Sequence, residues 1–329
     1  MKTLYLSQQG CYVSLKQETL NVKRGETLYA CVQLPLLEQI LVFGQSQLTT
    51  QVIRACLWRD IPIAYLSRMG YCYGRMMPIE RGYRHLRRYQ QELSMGERLT
   101  VARSLVAAKL KNSRVVLLRQ QRKRDIPQLG RIIPSLERLA QQAQQAIALE
   151  QLMGYEGAGA AQYFEGFGDC LTPPDFSFVA RSKRPPLNPV NALLSFGYQV
   201  LWNHLLSLIE LQGLDPYCAC FHQGTERHAA LASDLIEEFR APLVDSLVMY
   251  LINRKLIDAR LDFEYRNGGC FLNDWGRKKY LQAFLQQMEK EIQVSSGLQP
   301  KWDLLNQQVK AFKQFIYQPS QGYQPYRIN

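Results

Sequence analysis

The sequence predicts an α+β protein in which a small β-rich domain at the N-terminus precedes a larger, all-helical domain. Over residues 1–80, apolar side chains alternate with polar ones in short runs, which is the pattern of strands. From residue 94 to residue 329, apolar side chains recur at helical spacing over long segments. Residues 81–93 form a basic connector between the two. With 329 residues, the chain is long enough for two domains of ordinary size.

The predicted strands lie within residues 1–80. Alternating apolar pairs indicate three of them: Leu4 and Leu6, Val13 and Leu15, and Leu20 and Val22. A helix is expected over residues 49–57, and residues 61–66 return to a strand that ends at a turn at Met69 and Gly70. This part of the chain shows no catalytic constellation, so the chemistry is expected in the helical domain.

Helical patterns fill most of the remaining chain. The expected helices are a long basic helix from near Ser94, a helix from Pro134 that leads to residue 156, a helix from Asn188 and Pro189 to about Gln212, a helix from Ala229, and two helices near 279–293 and 301–316. His204 lies among leucines and is therefore expected to be a core residue. An Asn-Gly-Gly turn is expected at 267–269. The tail, residues 318–329, is rich in Pro, Gln and Tyr and is expected to be mobile or extended.

The net charge of +12 and the pI near 9.3 favour a polyanionic partner, because clustered Lys and Arg release counterions from a phosphate backbone. Nucleic acid is the first candidate and an anionic membrane surface the second. No apolar run reaches the roughly 18 residues of a spanning helix, and no signal peptide pattern is present, so a cytoplasmic location is expected. The 8 cysteines lack CxxC spacing and are expected to be mostly buried thiols. A soft-metal site at Cys218 and Cys220 is the alternative for that pair.

Residues 217–248 combine two histidines, several carboxylates and two arginines within one loop and one helix. Asp234, Glu237 and Glu238 are predicted to share one flank of the helix, where they repel one another unless a cation lies among them. A divalent metal would resolve this repulsion, and His222 in the upstream loop could supply an imidazole ligand. The alternative is a solvated acidic helix face with a loop histidine.

A second segment, residues 152–167, carries Glu156 among small residues. Glycines and alanines at 154 and 157–161 would let another backbone or a phosphodiester approach this glutamate without a side-chain clash. Glycine also lowers helix propensity by roughly 1 kcal/mol against alanine, so its repeated use within a helix indicates a packing or functional reason.

Four separated blocks resemble the CRISPR-associated spacer-acquisition integrase family, in the family's order and over nearly the whole chain. They are Leu-Met-Gly-Tyr-Glu-Gly at 152–157, Asn-Pro-Val-Asn-Ala-Leu-Leu-Ser-Phe-Gly-Tyr at 188–198, Leu-Asp-Pro-Tyr at 214–217, and Ser-Asp-Leu-Ile-Glu-Glu-Phe-Arg at 233–240. One departure concerns the loop before the histidine, where the family often has Gly-Phe-Leu and this chain has Ala-Cys-Phe at 219–221.

The resemblance implies a divalent metal, Mg²⁺ or Mn²⁺, held by Glu156, His222 and Glu237, with Asp234 as a neighbouring or additional ligand. It implies a DNA endonuclease and integrase that inserts short double-stranded DNA segments into the CRISPR repeat array, by attack of a DNA 3′-hydroxyl on a phosphodiester. A small companion adaptation protein and a homodimer formed through the N-terminal β domain are implied as well.

Three basic groups are candidates for contacts with DNA. They are Arg84 and Arg88 in the connector, where tyrosines are interleaved, Arg119, Arg122 and Lys123 on the long helix, and Arg181, Lys183 and Arg184 in a Pro-rich loop. A solvated basic surface is the alternative for each. His85 and His228 are surface or supporting candidates. Two other functions remain open: a noncatalytic DNA-binding scaffold whose acidic residues pair with a basic helix, and a metal-dependent nuclease that acts on RNA.

Overall fold

The computed structural model describes residues 3–68, 72–79, 84–224, 228–294 and 297–328. A strand-rich N-terminal region precedes a mostly helical domain, with 53% helix and 17% strand, so the predicted fold class is confirmed. The boundary placed after residue 80 and the turn at Met69 and Gly70 fall on residues outside these ranges, as do Arg81 and Tyr83 of the connector.

Two four-stranded sheets form the N-terminal region. Its elements are β1 (Thr3–Leu6), β2 (Tyr12–Lys16), β3 (Thr19–Arg24), β4 (Thr27–Gln33), β5 (Gln39–Phe43), β6 (Gln47–Leu48), α1 (Thr50–Trp58), β7 (Ile63–Leu66) and β8 (Cys72–Met76). The first sheet has the order β1-β5-β7-β8, with β8 antiparallel to its parallel neighbours. The second has the order β4-β3-β2-β6, in which β6 runs parallel to β2 and the other pairs are antiparallel.

Strand β5 explains how the two sheets and the helices form three layers. All five of its residues are buried, because both of its faces are covered. Ile40 and Val42 pack toward the second sheet, whereas Leu41 and Phe43 belong to the core of the helical domain. Side chains of a strand alternate between its two faces, so one short strand contributes to both cores.

Polar contacts fix the first sheet against the helical domain. The Tyr5 hydroxyl lies 2.6 Å from His204 Nε2, and Gln39 Nε2 donates to Ser207 Oγ at 2.7 Å. Burial lowers the pKa of His204 to about 3, so this imidazole is neutral at ordinary pH. His204 is therefore a core residue at the junction of sheet and helices, as predicted.

The helical domain contains α2 (Arg84–Glu92), α3 (Met95–Gln121), α4 (Leu129–Gln145), α5 (Leu149–Asp169), α6 (Pro189–Leu211), α7 (Ala230–Ile236), α8 (Ser246–Asn253), α9 (Asp274–Met288) and α10 (Lys301–Tyr317). Helices α3, α4 and α5 pack closely on one another. A Cβ at Gly159 would lie 2.1 Å from Leu110 Cδ2, and one at Gly166 would lie 2.7 Å from Leu129 Cδ2. Two of the glycines after Glu156 therefore permit close helix packing.

Capping explains two helix starts that the sequence predicts. Ser94 and Glu97 form a reciprocal capping box at the start of α3. Asn188 accepts a hydrogen bond from the amide of Asn191 at the start of α6. Helix α6 is the one helix of the described ranges long and apolar enough to cross a membrane, but 78% of its apolar window is buried inside the protein. We therefore describe α6 as the core helix of the domain.

The predicted start of α4 is wrong. The helix begins at Leu129, and Pro134 lies inside it. Proline removes one helical hydrogen bond and is disfavoured beyond the first turn. Here Leu129, Ile132 and Ile133 are buried before the proline, so the apolar stripe continues through it and packing overrides local propensity.

Two hairpins interrupt the domain that the sequence describes as all-helical. They are β9 (Phe263–Arg266) with β10 (Gly269–Leu272), and β11 (Glu291–Val294) with β12 (Gly297–Pro300). Asn267 and Gly268 both have positive φ, 49° and 72°, which matches the two-residue turn that joins antiparallel strands. The sequence therefore predicts this turn correctly, but not the strands beside it, because each strand is only four residues long.

Candidate metal centre

The predicted helix from Ala229 is divided into three segments. Helix α7 is followed by a π-helical segment, Arg240–Asp245, and then by α8. Pro242 lies within the π-helical segment and has no amide hydrogen to donate, which favours a local departure from α-helical bonding. The predicted apolar stripe is buried, with members at Leu231, Leu235, Ile236, Phe239, Leu243 and Leu247.

The three carboxylates of this segment do not share one flank, which corrects the sequence prediction. Asp234, Glu237 and Glu238 are at most 2% exposed. Asp234 faces the upstream loop, Glu237 faces Lys109 and Arg240, and Glu238 faces the C-terminal tail. Helix α7 is buried on every side, so it has no solvated acidic face, and each carboxylate meets a different partner.

Asp234 orients the loop that carries His222. Its Oδ2 accepts hydrogen bonds from the amides of Cys220 at 2.7 Å and Phe221 at 2.9 Å. Its Oδ1 lies 2.8 Å from both the amide nitrogen and Nδ1 of His222. A carboxylate only accepts, so the imidazole proton resides on Nδ1. The lone pair of Nε2 is then directed toward Glu237, whose Oε1 is 3.8 Å away.

Two cations neutralise Glu237. The Lys109 ammonium lies 2.7 Å from Glu237 Oε2 and also contacts a carboxylate oxygen of Glu156. Arg240 Nη1 lies 2.8 Å from Glu237 Oε1. Burial opposes ionisation of Glu237, but the charges of Arg240 and Lys109 outweigh it and lower the pKa of Glu237 to about 2. Glu237 is therefore a carboxylate throughout the ordinary pH range.

Lys109 and Arg240 are not among the site residues predicted from the sequence. Lys109 is flanked by buried residues on α3, among them Ala108 and Leu110, so it needs an acidic partner. Arg240 follows Glu237 by three positions, the spacing at which helical side chains meet. Both signals are present in the sequence, but the first does not identify which acidic residues Lys109 contacts.

The donor atoms at this centre fit a divalent cation in type. Glu156 and Glu237 offer carboxylate oxygens and His222 offers a ring nitrogen, a mixed set that suits Mn²⁺ and is compatible with Mg²⁺. Glu237 Oε2 is buried and accepts no hydrogen bond, although it lies beside Lys109. No three His, Cys, Asp or Glu side chains of the described ranges are assembled to hold a metal ion. Lys109 links Glu156 and Glu237 instead.

A cavity of about 710 Å³ opens beside this centre. Its walls combine the Glu156 carboxylate with basic and aromatic side chains: Lys109, Arg181, Lys183, Arg184, Arg240, Tyr198, Trp202 and His228. The Tyr198 ring lies 5.5 Å from the guanidinium of Arg181 and 5.2 Å from that of Arg240. Cations can bind phosphates and aromatic rings can stack on unpaired bases, so the lining suits a nucleic acid strand.

The basic loop at the cavity is held in place from two sides. Arg181 donates from Nη1 to Asn191 Oδ1 at 2.8 Å and from Nη2 to Ser195 Oγ at 3.0 Å, which ties the loop to α6. The amide of Cys270 donates to the Pro186 carbonyl at 2.8 Å, which ties it to β10. The unpredicted β9–β10 hairpin therefore helps to position the basic loop.

The other predicted DNA contacts lie away from the cavity. One group lies at the C-terminal end of α3 and is exposed: Arg119, Arg122 and Lys123. Arg119 follows Lys109 by ten residues on this helix and therefore lies about 15 Å from it along the helix axis. Arg88 pairs with Glu92 at 2.7 Å on the exposed face of α2. Arg84 begins that helix, and its side chain lies outside what the structure describes. The structure thus brings the loop group to the cavity beside Glu156, whereas Arg88 and the three residues at the end of α3 do not line it.

Beneath the cavity, Asp245 joins two tyrosines. Tyr163 Oη donates to its Oδ2 at 2.9 Å and Tyr198 Oη donates to its Oδ1 at 2.5 Å. Burial raises the pKa of Asp245 to about 6, although the two hydroxyls and the nearby Arg240 and Arg181 oppose the shift. This carboxyl fixes the position of the Tyr198 ring near the two guanidinium groups.

The C-terminal tail is extended and docked. Tyr323 is 2% exposed, and its hydroxyl donates to Glu238 Oε1 at 2.5 Å. The Tyr326 ring stacks on Phe239 with a centroid distance of 5.6 Å. Asn112 Nδ2 donates to the carbonyls of Glu238 and Tyr326 at 2.8 and 2.9 Å, which joins α3 to the tail. The tail therefore supports the backbone next to Glu237.

The cysteines are free thiols, and most are buried, as predicted: Cys11, Cys56, Cys170, Cys220 and Cys270. Cys218 Sγ lies 3.6 Å from Arg98 Nη2 and 3.5 Å from the Gln90 carbonyl oxygen. Burial raises the pKa of the Cys220 thiol. These surroundings favour a packing role for Cys218 and Cys220 over a soft-metal site.

Comparison with known proteins gives consistent matches. The family model described as CRISPR associated protein Cas1 matches residues 4–286. The chain is 32% identical over 296 residues to CRISPR-associated endonuclease Cas1 1 of Thermus thermophilus, covering 90% of this chain and 89% of that protein. It is 35% identical over 300 residues to a Cas4/Cas1 exonuclease/endonuclease fusion of Geobacter sulfurreducens, covering 88% of this chain but only 53% of the fusion.

Solved structures show the same fold. A CAS1 protein from Thermotoga maritima has a TM-score of 0.81 at 25% identity, with both chains fully covered. A chain of a partial Cas6-RT-Cas1–Cas2 complex has a TM-score of 0.71 at 25% identity, covering 100% of this chain and 99% of that one. The similarity therefore extends over both the strand-rich and the helical regions.

Proposed function

The chain belongs to the CRISPR-associated Cas1 family, and we propose that it is a divalent-metal-dependent DNA endonuclease and integrase of CRISPR adaptation. The observation that supports this function best is that Glu237 lies 3.8 Å from His222 and is joined through Lys109 to Glu156, which lines a basic, aromatic cavity. Carboxylates and imidazole are ligands for the metals of phosphoryl transfer, and the cavity lining suits the phosphates of the substrate.

We assign the metal ligands to Glu156, His222 and Glu237. Bound Mg²⁺ or Mn²⁺ would stabilise the charge that develops on the phosphate and the leaving oxygen. Asp234 would hold His222 in the tautomer whose Nε2 is free to ligate. Arg240, Lys183 and Arg184 would bind phosphates of the DNA, and Tyr198 and Trp202 would stack on bases that are unpaired near the reacting end.

The substrate class we propose is double-stranded DNA, with attack by a 3′-hydroxyl on a phosphodiester of the CRISPR repeat. The companion would be a small adaptation protein, since a relative of the same fold has been solved in a partial Cas6-RT-Cas1–Cas2 complex. Joining both ends of a segment requires two reactive centres, and the described part of one chain contains one such constellation. We therefore propose a homodimer as the minimal assembly.

The N-terminal region is our proposed site of dimerisation. Strand β4 is an edge of the second sheet, so its outer backbone groups are available for pairing. Leu28 and Tyr29 on this strand are 51% and 50% exposed, which leaves apolar surface for a second copy to cover.

A noncatalytic DNA-binding scaffold is the second candidate. The observation that favours it is the pairing of Lys109 with Glu156 and Glu237, because acidic residues that serve only to hold a basic helix would look the same. In that case the cavity would bind DNA, and the three proposed ligands would have no role in strand joining.

The test compares Glu237→Gln with the matched variant Glu238→Gln, which changes the adjacent carboxylate that faces the tail. A labelled short duplex is supplied with a repeat-bearing plasmid, and strand transfer is measured with Mg²⁺ or Mn²⁺ and with a chelator. Glu237→Gln should lower strand transfer by more than about 100-fold. This loss exceeds the one expected when a residue that only hydrogen-bonds a metal ligand is replaced. DNA affinity should change far less, and Glu238→Gln should retain activity. Equal losses of affinity and activity at Glu237, or transfer without a divalent metal, would rule out the proposed enzyme.

A further inference from the structure

Lys109 occupies an unusual position for a lysine. It lies near the middle of the 27-residue helix α3, its side chain is 13% exposed, and Val106, Ala107, Ala108 and Leu110 around it are buried. Lysine is rarely buried without an acidic partner, because its ammonium loses hydration. Here its ammonium contacts two carboxylates at once, those of Glu156 and Glu237.

The same two carboxylates are the proposed metal ligands. The ammonium lies 2.7 Å from Glu237 Oε2 and touches Glu156 Oε1, so it occupies the space between the two carboxylates that would hold the metal. Two cations cannot share that place, since their repulsion rises steeply at contact distance. Arg240 pairs with the other oxygen, Glu237 Oε1, and can remain there when Lys109 leaves.

When Lys109 leaves the carboxylates, its ammonium can move into the neighbouring cavity. Its side chain lines the cavity that contains Lys183, Arg184 and Arg240, where the phosphates of a DNA strand would lie under the proposed function. The backbone of α3 holds its Cα in place, while four methylene groups leave the ammonium free to turn. A lysine that leaves the carboxylates would therefore point its charge at the substrate phosphate.

We propose that Lys109 is an exchangeable counter-ion: it holds Glu156 and Glu237 together without metal, gives way to the divalent ion, and then contacts the reacting phosphate. This inference rests on the proposed function. A purely structural ion pair predicts the opposite change in metal affinity when Lys109 is replaced. If Lys109 only holds the carboxylates in place, its removal loosens the ligands and weakens metal binding; if it competes, its removal strengthens metal binding.

The experiment measures Mn²⁺ binding to the full chain without DNA, by the electron paramagnetic resonance signal of free Mn²⁺. Lys109→Met removes the charge and keeps the length of the side chain, and Lys109→Arg keeps the charge. Lys111→Met is the matched control, with the same change on the same helix two positions away. Lys109→Met should bind Mn²⁺ about tenfold more tightly, within the roughly 5- to 150-fold range of coupling between two ligands. Lys109→Arg and Lys111→Met should bind as the wild type does.

A second measurement separates competition from damage to the fold. Without metal, Lys109→Met should have a lower melting temperature than the wild type, because Glu156 and Glu237 then repel each other. Saturating Mn²⁺ should raise the melting temperature of this variant more than that of the wild type. At saturating Mn²⁺, strand transfer by Lys109→Met should still be reduced, since the phosphate contact is missing. If Lys109→Met fails to fold, Lys109→Gln takes its place with the same expectations.

The proposed exchange of Lys109 for metal would be wrong if Lys109→Met bound Mn²⁺ as tightly as the wild type or more weakly. It would also be wrong if Lys109→Arg bound Mn²⁺ as tightly as Lys109→Met does. Glu237→Gln distinguishes this failure from failure of the proposed function. Where Glu237→Gln abolishes Mn²⁺ binding but Lys109→Met does not strengthen it, the metal centre stands and the counter-ion role is wrong. Where Mn²⁺ binding does not depend on Glu237, the metal centre itself is wrong and the exchange fails with it.

Discussion

The Asp234→Asn substitution tests how the loop before α7 presents His222. Asp234 is fully buried and accepts four hydrogen bonds, from three backbone amides and one imidazole nitrogen. Asparagine has nearly the same shape but only one accepting oxygen, so two of the four donors must face an amide nitrogen. At about 1.5–3 kcal/mol for each bond to a charged group, each donor that is left without an acceptor should cost the variant about 1.5–3 kcal/mol of unfolding free energy.

The orientation of the new amide decides the effect on His222. If the nitrogen replaces Oδ2, it meets the amides of Cys220 and Phe221, and neither can act as an acceptor. If it replaces Oδ1, it meets the amide of His222 and the ring Nδ1, and the ring can adapt by changing tautomer. The second orientation leaves fewer donors without an acceptor. We therefore expect the proton to move to Nε2, which removes the lone pair that faces Glu237.

Three measurements check this expectation. The ¹⁵N chemical shifts of the His222 ring report the tautomer, urea denaturation reports the unfolding free energy, and Mn²⁺ titration reports the ligand. The control is Asp262→Asn, because Asp262 is also buried and accepts from the Asp258 amide and from Lys279, at 2.8 and 2.7 Å. Asp262→Asn should lower the unfolding free energy without changing the tautomer of His222. An Asp234→Asn protein that keeps the proton on Nδ1, or that is destabilised by less than about 1 kcal/mol, would refute the reasoning.

Two further predictions concern the supports of the site. Burial raises the pKa of Asp245 to about 6 from its ordinary 3.8, so its contribution to stability is present below pH 4 and is lost as pH rises through 6. Asp245→Asn should flatten this decline in unfolding free energy, measured from pH 4 to pH 8, by about 3 kcal/mol; parallel profiles of the two proteins would contradict it. Tyr323→Phe should cost about 1–3 kcal/mol, because Glu238 loses a buried hydrogen bond, and should speed proteolysis of the tail. Tyr317→Phe, at a residue 50% exposed, should change neither, and the same result for Tyr323→Phe would show that the tail is not held through this bond.

The identities of the proposed ligands could be predicted from the sequence, whereas their surroundings could not. Glu156 and Glu237 stand in motifs that a reader of the chain can recognise, and His222 precedes α7 in the polar loop. Lys109 comes from a different helix, 47 residues before Glu156, and nothing local marks it as the partner of two carboxylates. The apolar periodicity of α3 shows that Lys109 has buried neighbours, but only the packing of α3 against α5 and α7 identifies them.

Elsewhere, the sequence predicts an element correctly where interactions between neighbouring residues determine it. The capping residues Ser94 and Asn188 begin their helices as predicted, because a cap acts on the amides directly after it. Pro134 misled the prediction of α4, because burial of the apolar residues before it outweighs a missing hydrogen bond. Strand β5 was missed for a similar reason: a strand covered on both faces has no polar side to alternate with.

The burial of α7 joins these findings into one physical account. Three carboxylates, Asp234 on α7 and Glu237 and Glu238 directly after it, are costly to bury unless each one is satisfied. Here the loop amides satisfy Asp234, two cations satisfy Glu237, and the tail satisfies Glu238. The loop, the two cations and the tail thus meet at the C-terminal end of one short helix, seven residues long. Loss of any of these partners should therefore destabilise the segment that carries Glu237. Substitutions in the tail, which does not line the cavity, should lower stability without removing a proposed ligand or a substrate contact.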